Sequence, residues 1–217
     1  MQNDKAIILL SGGIDSTTTL YYAKKKGYKC FALIFDYGQR HKRELHSAAQ
    51  VAKRAKVPHI IMKIKLPWKG SSLLDRSKKL PRGRSLKKMS KEVPSTYVPS
   101  RNTIFLSYAA SYAESIGAEA VFIGANAIDF SGYPDCRPAY YSVWQKLIKQ
   151  STKAKNIKIY TPLIKKTKSG IIKLGLNLKA PLHLTWSCYA GGKKPCGVCD
   201  SCRIREKAFR ELGTEES

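Results

Sequence analysis

The chain predicts an α/β fold, a Rossmann-like parallel sheet with helices on both faces, followed by a small C-terminal zinc-binding segment. Three observations predict it. Short apolar runs of strand length alternate with stretches of helical spacing, the pattern of a parallel sheet with crossover helices. The first run leads directly into a glycine-rich polar turn. Four cysteines crowd the C-terminal end at metal-ligand spacing.

Residues 6–10 are uninterrupted apolar, as expected of a strand buried on both faces. Ser11-Gly12-Gly13-Ile14-Asp15-Ser16 follows. Two glycines let the backbone turn sharply and approach a ligand. Asp15 or Ser16 is expected to cap a helix over about 17–26, with Gly27 past its end. Unpaired amides and the positive dipole end at such a helix start form an anion site, and phosphate is the expected anion. Gly-Gly alone also suits a plain corner. The full SGGxDS string is more specific, and it lacks the lysine of the ordinary phosphate loop.

Residues 29–35 read as a second strand, with Cys30 as a small core residue. Residues 36–41, DYGQRH, then lie on the carboxyl rim beside SGGIDS, where ligands of such sheets sit. A helix over about 42–56 places Leu45, Ala48, Ala49 and Ala52 on one face, and Pro58 ends it. Residues 59–66 form a third strand. Residues 67–100 show no periodicity, and so long a loop reads as a lid over substrate or a solvated insertion. The basic stretch at 75–89 has no role readable from sequence. Helical spacing over 102–116, stopped by Gly117, precedes a strand at 120–124 and a polar loop at 124–138. A helix to about 150, a strand at 158–164 broken by Pro162, and a helix over 167–178 complete the pattern.

The 217 residues carry 40 Lys plus Arg against 15 Asp plus Glu, a formal charge of +25. Such a chain attracts nucleotides and nucleic acid, but charge alone supplies no base-reading groups. No apolar run can span a bilayer and no cleavable leader is evident, so a cytoplasmic protein without membrane contact is expected.

Cys188, Cys196, Cys199 and Cys202 form C-x7-C-x2-C-x2-C. Four thiolates make a closed tetrahedral zinc site with a structural role. An iron–sulfur cluster and a redox C-x-x-C pair are the competing readings. Cys136, alone in YPDCRP, is either a pocket-lining residue or a thiol activated by Arg137.

SGGIDS after an apolar strand resembles the signature of the ATP pyrophosphatase, or PP-loop, superfamily. SGGIDSTT, FDYGQRH, VPSRNTIFLSYA, GANAIDFSGYPDCRP and TWSCYAGGKKPCGVCDSCRIR resemble, in order, the motifs of the 7-cyano-7-deazaguanine synthase family, over residues 7 to about 209. That resemblance implies an adenine nucleotide alpha hydrolase-like domain at 1–184, with a mobile insertion near 67–100, and a four-cysteine zinc segment at 185–217. It implies conversion of 7-carboxy-7-deazaguanine, ammonia and ATP to the nitrile, precursor of queuosine and archaeosine, through adenylated carboxylate and amide. ATP, Mg2+ and structural Zn2+ are the implied cofactors. The implied assembly is a homodimer, and nucleic acid is not required.

The resemblance assigns ATP binding to Leu10, Ser11, Gly12, Gly13, Ile14, Asp15, Ser16, Thr17, Thr18, Thr19 and Leu20. Arg101 and Lys168 become partners of phosphate charge. Asp129, Tyr133, Asp135 and Arg137 become contacts to the base or to ammonia, with an ordinary turn role after Pro134 as the competing reading of Asp135. The four cysteines become zinc ligands. Two departures stand out: Ser100 where the family more often has glycine, and Ile14 where glutamine is frequent.

Overall fold

The computed structural model describes residues 4–84, 93–126 and 133–214. Its sheet has five parallel strands: β1 (Lys5–Leu9), β2 (Lys29–Asp36), β3 (His59–Lys63), β4 (Ala120–Phe122) and β5 (Lys158–Tyr160), in the order β3-β2-β1-β4-β5. The chain moves outward from β1 to β2 and β3, then returns to β4 on the other side. The crossovers therefore diverge at the carboxyl ends of β1 and β4, which opens a crevice there.

Alternation along the central strands makes two cores. Ile7, Leu9, Leu33 and Val121 face α3 (Arg101–Ile116) and α4 (Pro138–Ser151). Ala6, Ile8, Ala32, Ile34 and Phe122 face α1 (Ile14–Lys25) and α2 (Arg43–Arg54). Each large side chain buried this way contributes about 1.5–3 kcal/mol. A third cluster joins Ile14 and Leu163 to α5 (Lys168–Asn177) and α6 (Asp200–Glu211) through Ile171, Ile172, Ala208 and Phe209. Ile14 is apolar because it belongs to this cluster. Cys30 is a buried core residue, and burial pushes its thiol up to about 12.

Several boundaries differ from expectation. Helix α1 starts at Ile14, three residues early, and its N-cap is Gly13 with no side-chain cap. Asp15 and Ser16 are therefore first-turn residues, freed from capping for other contacts. β3 stops at Lys63 and is an edge strand with Ile60 and Ile61 exposed. β5 stops at Tyr160, because the chain turns at 161–164, where Ile164 N bonds Thr161 O. Helix α6 carries no expectation from the sequence. No helix among the described residues is long and apolar enough to cross a membrane.

The insertion at 67–100 is tied down over its described parts. Arg40 donates to the carbonyls of Ser72, Arg76 and Lys78 at 3.0–3.1 Å. Arg82 forms an antiparallel bridge with Cys199, and Gly83 N bonds Val198 O at 3.3 Å. The Arg84 guanidinium reaches Asp200 at 2.6 and 2.9 Å, and Arg203 donates to Arg84 O at 2.8 Å. The basic stretch thus has a role in part: its arginines strap the insertion to the cysteine segment. Residues 85–92 lie outside the described residues.

Candidate active site

The site is built on the turn after β1. Gly12 has φ +82°, and a Cβ there would lie 2.5 Å from the Glu44 carbonyl oxygen and 2.6 Å from the Ala48 nitrogen. Only glycine lets α2 rest on the turn. Gly124, just past β4, meets the backbone of Asp15 and Ser16 within 2.9–3.1 Å in the same way. The Ser16 hydroxyl accepts from Ser11 N at 3.1 Å and donates to Gly13 O at 3.2 Å, while the Ser11 and Ser16 hydroxyls sit 3.0 Å apart. The first intrahelical bond of α1 is Thr17 N to Gly13 O, 3.1 Å. The amides before it form the dipole's positive end, which suits an anion.

Asp15 is the hub of this end. Lys168, first residue of α5, donates to both its carboxylate oxygens at 2.7 Å, and the Asn126 amide donates to Oδ2. Both side chains of the Asp15–Lys168 pair are 18% exposed. A lysine at a helix start opposes the dipole, and Asp15 offsets that. The loop, the pair and Arg101 line one cavity of about 270 Å³ at the carboxyl ends of β1, β2 and β4.

Arg101 opens α3. Its guanidinium donates to the Tyr37 hydroxyl at 3.4 Å and lies 5.9 Å from the ring centres of Tyr37 and Phe105. Its Nε is buried with no hydrogen-bond partner among the described residues. Burial works against its charge, but Tyr37, Tyr133 and Asp135 outweigh that and hold its pKa above the usual value. A buried cation with an unused donor is a place for an anion. Ser100, just before it, has φ +51°. That left-handed backbone is the physical reason glycine suits this position.

The other expected residues divide. Ser11, Gly13, Ile14, Asp15, Ser16, Leu10, Tyr133 and Lys168 line the cavity. Gly12 shapes the turn from beneath α2. Thr17, Thr18, Thr19 and Leu20 are fully buried on α1 and do not line it, so their side chains serve packing. Asp135 is buried, and its carboxylate accepts from Asn102 N at 3.2 Å; its carbonyl accepts from Asn102 Nδ2 and from the Tyr141 hydroxyl, each at 3.2 Å. It anchors the start of α3 instead of facing the cavity. Arg137 is exposed, outside the lining. Asp129 lies outside the described residues. Cys136 is a buried lining residue whose sulfur accepts from Asn102 Nδ2 at 3.4 Å.

Sequence reading missed Tyr37, Gln39, Glu44, Asn126 and Trp186 in the lining or beside it. Tyr37 and Gln39 belong to the DYGQRH loop, which the sequence places on the right rim without individual roles. Gln39 folds back to bond Tyr37 N at 2.9 Å and Phe35 O at 3.1 Å. Glu44 gave no signal beyond its proximity to that loop.

The four C-terminal cysteines converge, with their sulfurs within 4.8 Å of one another. A tetrahedral ion with 2.3 Å metal–sulfur bonds spaces its ligands roughly 3.8 Å apart, close to this arrangement. A cubane cluster would spread them further. Backbone amides of Ala190 and Cys196 donate to Cys188 Sγ at 3.4 and 3.3 Å. A hydrogen bond from Cys202 pulls the Cys199 thiol down to about 5, while that same bond pushes Cys202 up and burial raises Cys188. Crowded thiols can release one proton among themselves, and a central cation lets the rest ionise, so the donor set fits a metal. The segment also touches the loop directly: Trp186 N donates to Gly12 O at 2.9 Å.

A glycine turn and acid–base pair at the switch point of a 3-2-1-4-5 parallel sheet define an α/β protein of the PP-loop class. Solved structures of like fold include NMN synthetase from Francisella tularensis (TM-score 0.55, 19% identity, covering 100% of this chain and 80% of that one). Another is the tRNA thiolase NcsA from Methanococcus maripaludis (TM-score 0.51, 18% identity, 98% and 66%). The family model described as "Queuosine biosynthesis protein QueC" matches residues 5–213. The 7-cyano-7-deazaguanine synthase of Nostoc sp. is 55% identical over 218 residues, covering 98% of this chain and 95% of that protein. That of Thermoplasma acidophilum is 50% identical over 219 residues, covering 100% and 92%. The chain belongs to the QueC family of 7-cyano-7-deazaguanine synthases.

Proposed function

We propose that the chain converts 7-carboxy-7-deazaguanine and ammonia to 7-cyano-7-deazaguanine at the expense of two ATP. The observation that carries this reading is one cavity holding both the SGGIDS loop with its Asp15–Lys168 pair and the unpartnered Arg101 donor. A substrate carboxylate oxygen attacks the α-phosphorus, the bond to the bridging oxygen breaks, and pyrophosphate leaves. Ammonia attacks the acyl carbon; AMP leaves with the former carboxylate oxygen, and a proton is lost to give the amide. The amide oxygen attacks a second ATP in the same way. The second AMP then leaves as the nitrogen sheds its two protons, forming the nitrile.

In this reading the loop amides and α1 dipole hold the phosphates, and Lys168 and Arg101 balance charge as pyrophosphate departs. Asp15 holds Lys168 in place. Tyr133 and the apolar wall from Leu33 and Phe105 seat the ring and keep water from the adenylate. Asp129 and Arg137 keep their expected base or ammonia role as a proposal, whereas the hydrogen bonds of Asp135 point to a role in positioning α3. Magnesium, when bound, neutralises pyrophosphate charge, and Asp15, Ser11 and Ser16 supply the oxygen donors that suit it. Zinc is the ion proposed for Cys188, Cys196, Cys199 and Cys202. Supply of queuosine or archaeosine precursor and a homodimeric state complete the proposal; light scattering tests the latter.

The deciding experiment incubates purified, metal-loaded protein with 7-carboxy-7-deazaguanine, magnesium-ATP and an ammonium salt, and follows products by mass spectrometry. Nitrile with two equivalents of AMP and pyrophosphate is expected. Absence of any deazaguanine product would sink the proposal, while amide alone would remove its second half.

A further inference from the structure

We infer that Glu44 reads the base of the substrate: its two carboxylate oxygens accept the adjacent N1–H and 2-amino donors of the deazaguanine ring. This rests on the substrate reading above. Among the described residues the cavity has two carboxylates, Asp15 and Glu44. Asp15 is bound by Lys168 and Asn126. Of the two acids that the resemblance suggests, Asp135 accepts from Asn102 N through its carboxylate, and Asp129 lies outside the described residues. Glu44 has no hydrogen-bond partner for its carboxylate among the described residues. Arg101 acts on it through charge without closing an ion pair. A group left this way inside a cavity calls for donors from a ligand.

The surroundings fit a flat heterocycle. Leu33, Leu73, Phe105 and Tyr37 line the same cavity, and apolar walls with a few placed polar groups are what a planar ligand needs. The carboxylate also separates two purines that must not be confused in one site. Guanine-type rings present two donors side by side. Adenine presents an acceptor beside a donor, so a carboxylate would meet a lone pair. Glu44 therefore sorts substrate from the base of the nucleotide.

The test uses the full, metal-loaded protein with Glu44→Gln and Glu44→Asp. Calorimetry without ATP measures binding of 7-carboxy-7-deazaguanine and of its analogue lacking the 2-amino group, and steady-state kinetics give KM for ATP. Wild type should bind the analogue on the order of 10-fold more weakly than the substrate. E44Q should bind the substrate on the order of 10–100-fold more weakly and lose its preference over the analogue, with KM for ATP unchanged. E44D keeps the carboxylate on a shorter arm and should still prefer the substrate, which keeps the test alive if E44Q fails to fold. Undiminished preference in E44Q, or lost preference in folded E44D, would overturn the assignment of Glu44. So would a shift in KM for ATP with substrate binding intact. Wild type that neither binds nor converts 7-carboxy-7-deazaguanine would overturn the substrate reading itself, and this inference with it.

Discussion

The glycine loop and the cysteine cluster meet through the Trp186–Gly12 hydrogen bond, yet they are held by different means. At the loop, single side chains hold one another in a chain of hydrogen bonds, Asn126 and Lys168 on Asp15, Ser11 on Ser16. Beside them Arg101 keeps a buried donor unused. At the cluster, four sulfurs lie within 4.8 Å of one another, and the strap from Arg82 to Arg84 ties a distant part of the chain to Cys199 and Asp200. The first region leaves polar groups open to a visitor; the second turns them on itself. The contrast teaches that a binding site and a structural clasp differ less in residue type than in what is left unsatisfied.

If the clasp is structural, breaking it should outweigh any single change at the loop. Cys199→Ser should lose the metal and on the order of 5 kcal/mol of stability, read by metal analysis and melting. A metal-free variant that melts like wild type would erase the contrast. Asp15→Ala should lower turnover on the order of 1,000-fold while metal content stays normal. Normal turnover would remove the loop from the site. Arg84→Met leaves Asp200 buried without its cation and should cost about 3 kcal/mol; limited proteolysis within residues 70–84 should accelerate, and unchanged protection would mean the strap does not depend on this pair.

A pH series sharpens the loop side. Burial pushes Glu44 up to about 7, against 4.5 in an ordinary setting. Between those values the native protein binds more protons than the unfolded chain. The stabilising contribution of this group is therefore full below about 4.5 and is lost as pH climbs through 7. Ligand-free wild type should lose stability over that window, and E44Q should show a shallower slope; parallel slopes would refute it. The smallest effect is Ser100→Gly, which relieves a left-handed residue and should stabilise by about 0.5 kcal/mol in denaturant unfolding.

The strands, the glycine turn and the cysteine cluster were readable because each is written in contiguous residues. An apolar run, SGGIDS and C-x2-C-x2-C carry their geometry locally. Glu44 was not readable, because its access to the cavity depends on how α2 rests on Gly12. The resemblance made Asp135 a base contact, whereas in the fold its carboxylate accepts from Asn102 N and lies outside the cavity lining. Arg82 and Arg84 lie in the basic stretch that had no role readable from sequence, because their partners Cys199 and Asp200 lie more than a hundred residues away. Helix starts were misjudged where a glycine, not a side chain, forms the cap, as at Gly13.

The missing side chain at Gly12 has one more consequence. Because a Cβ at Gly12 would lie 2.5 Å from the carbonyl oxygen of Glu44, the spacing between the turn and the backbone of that residue is set by main chain against main chain. That backbone spacing does not change with a rotamer, whereas the carboxylate still swings on its own side-chain torsions. In the proposed reading, the turn that would hold phosphate and the helix that carries Glu44 therefore meet the ligands on one common backbone frame.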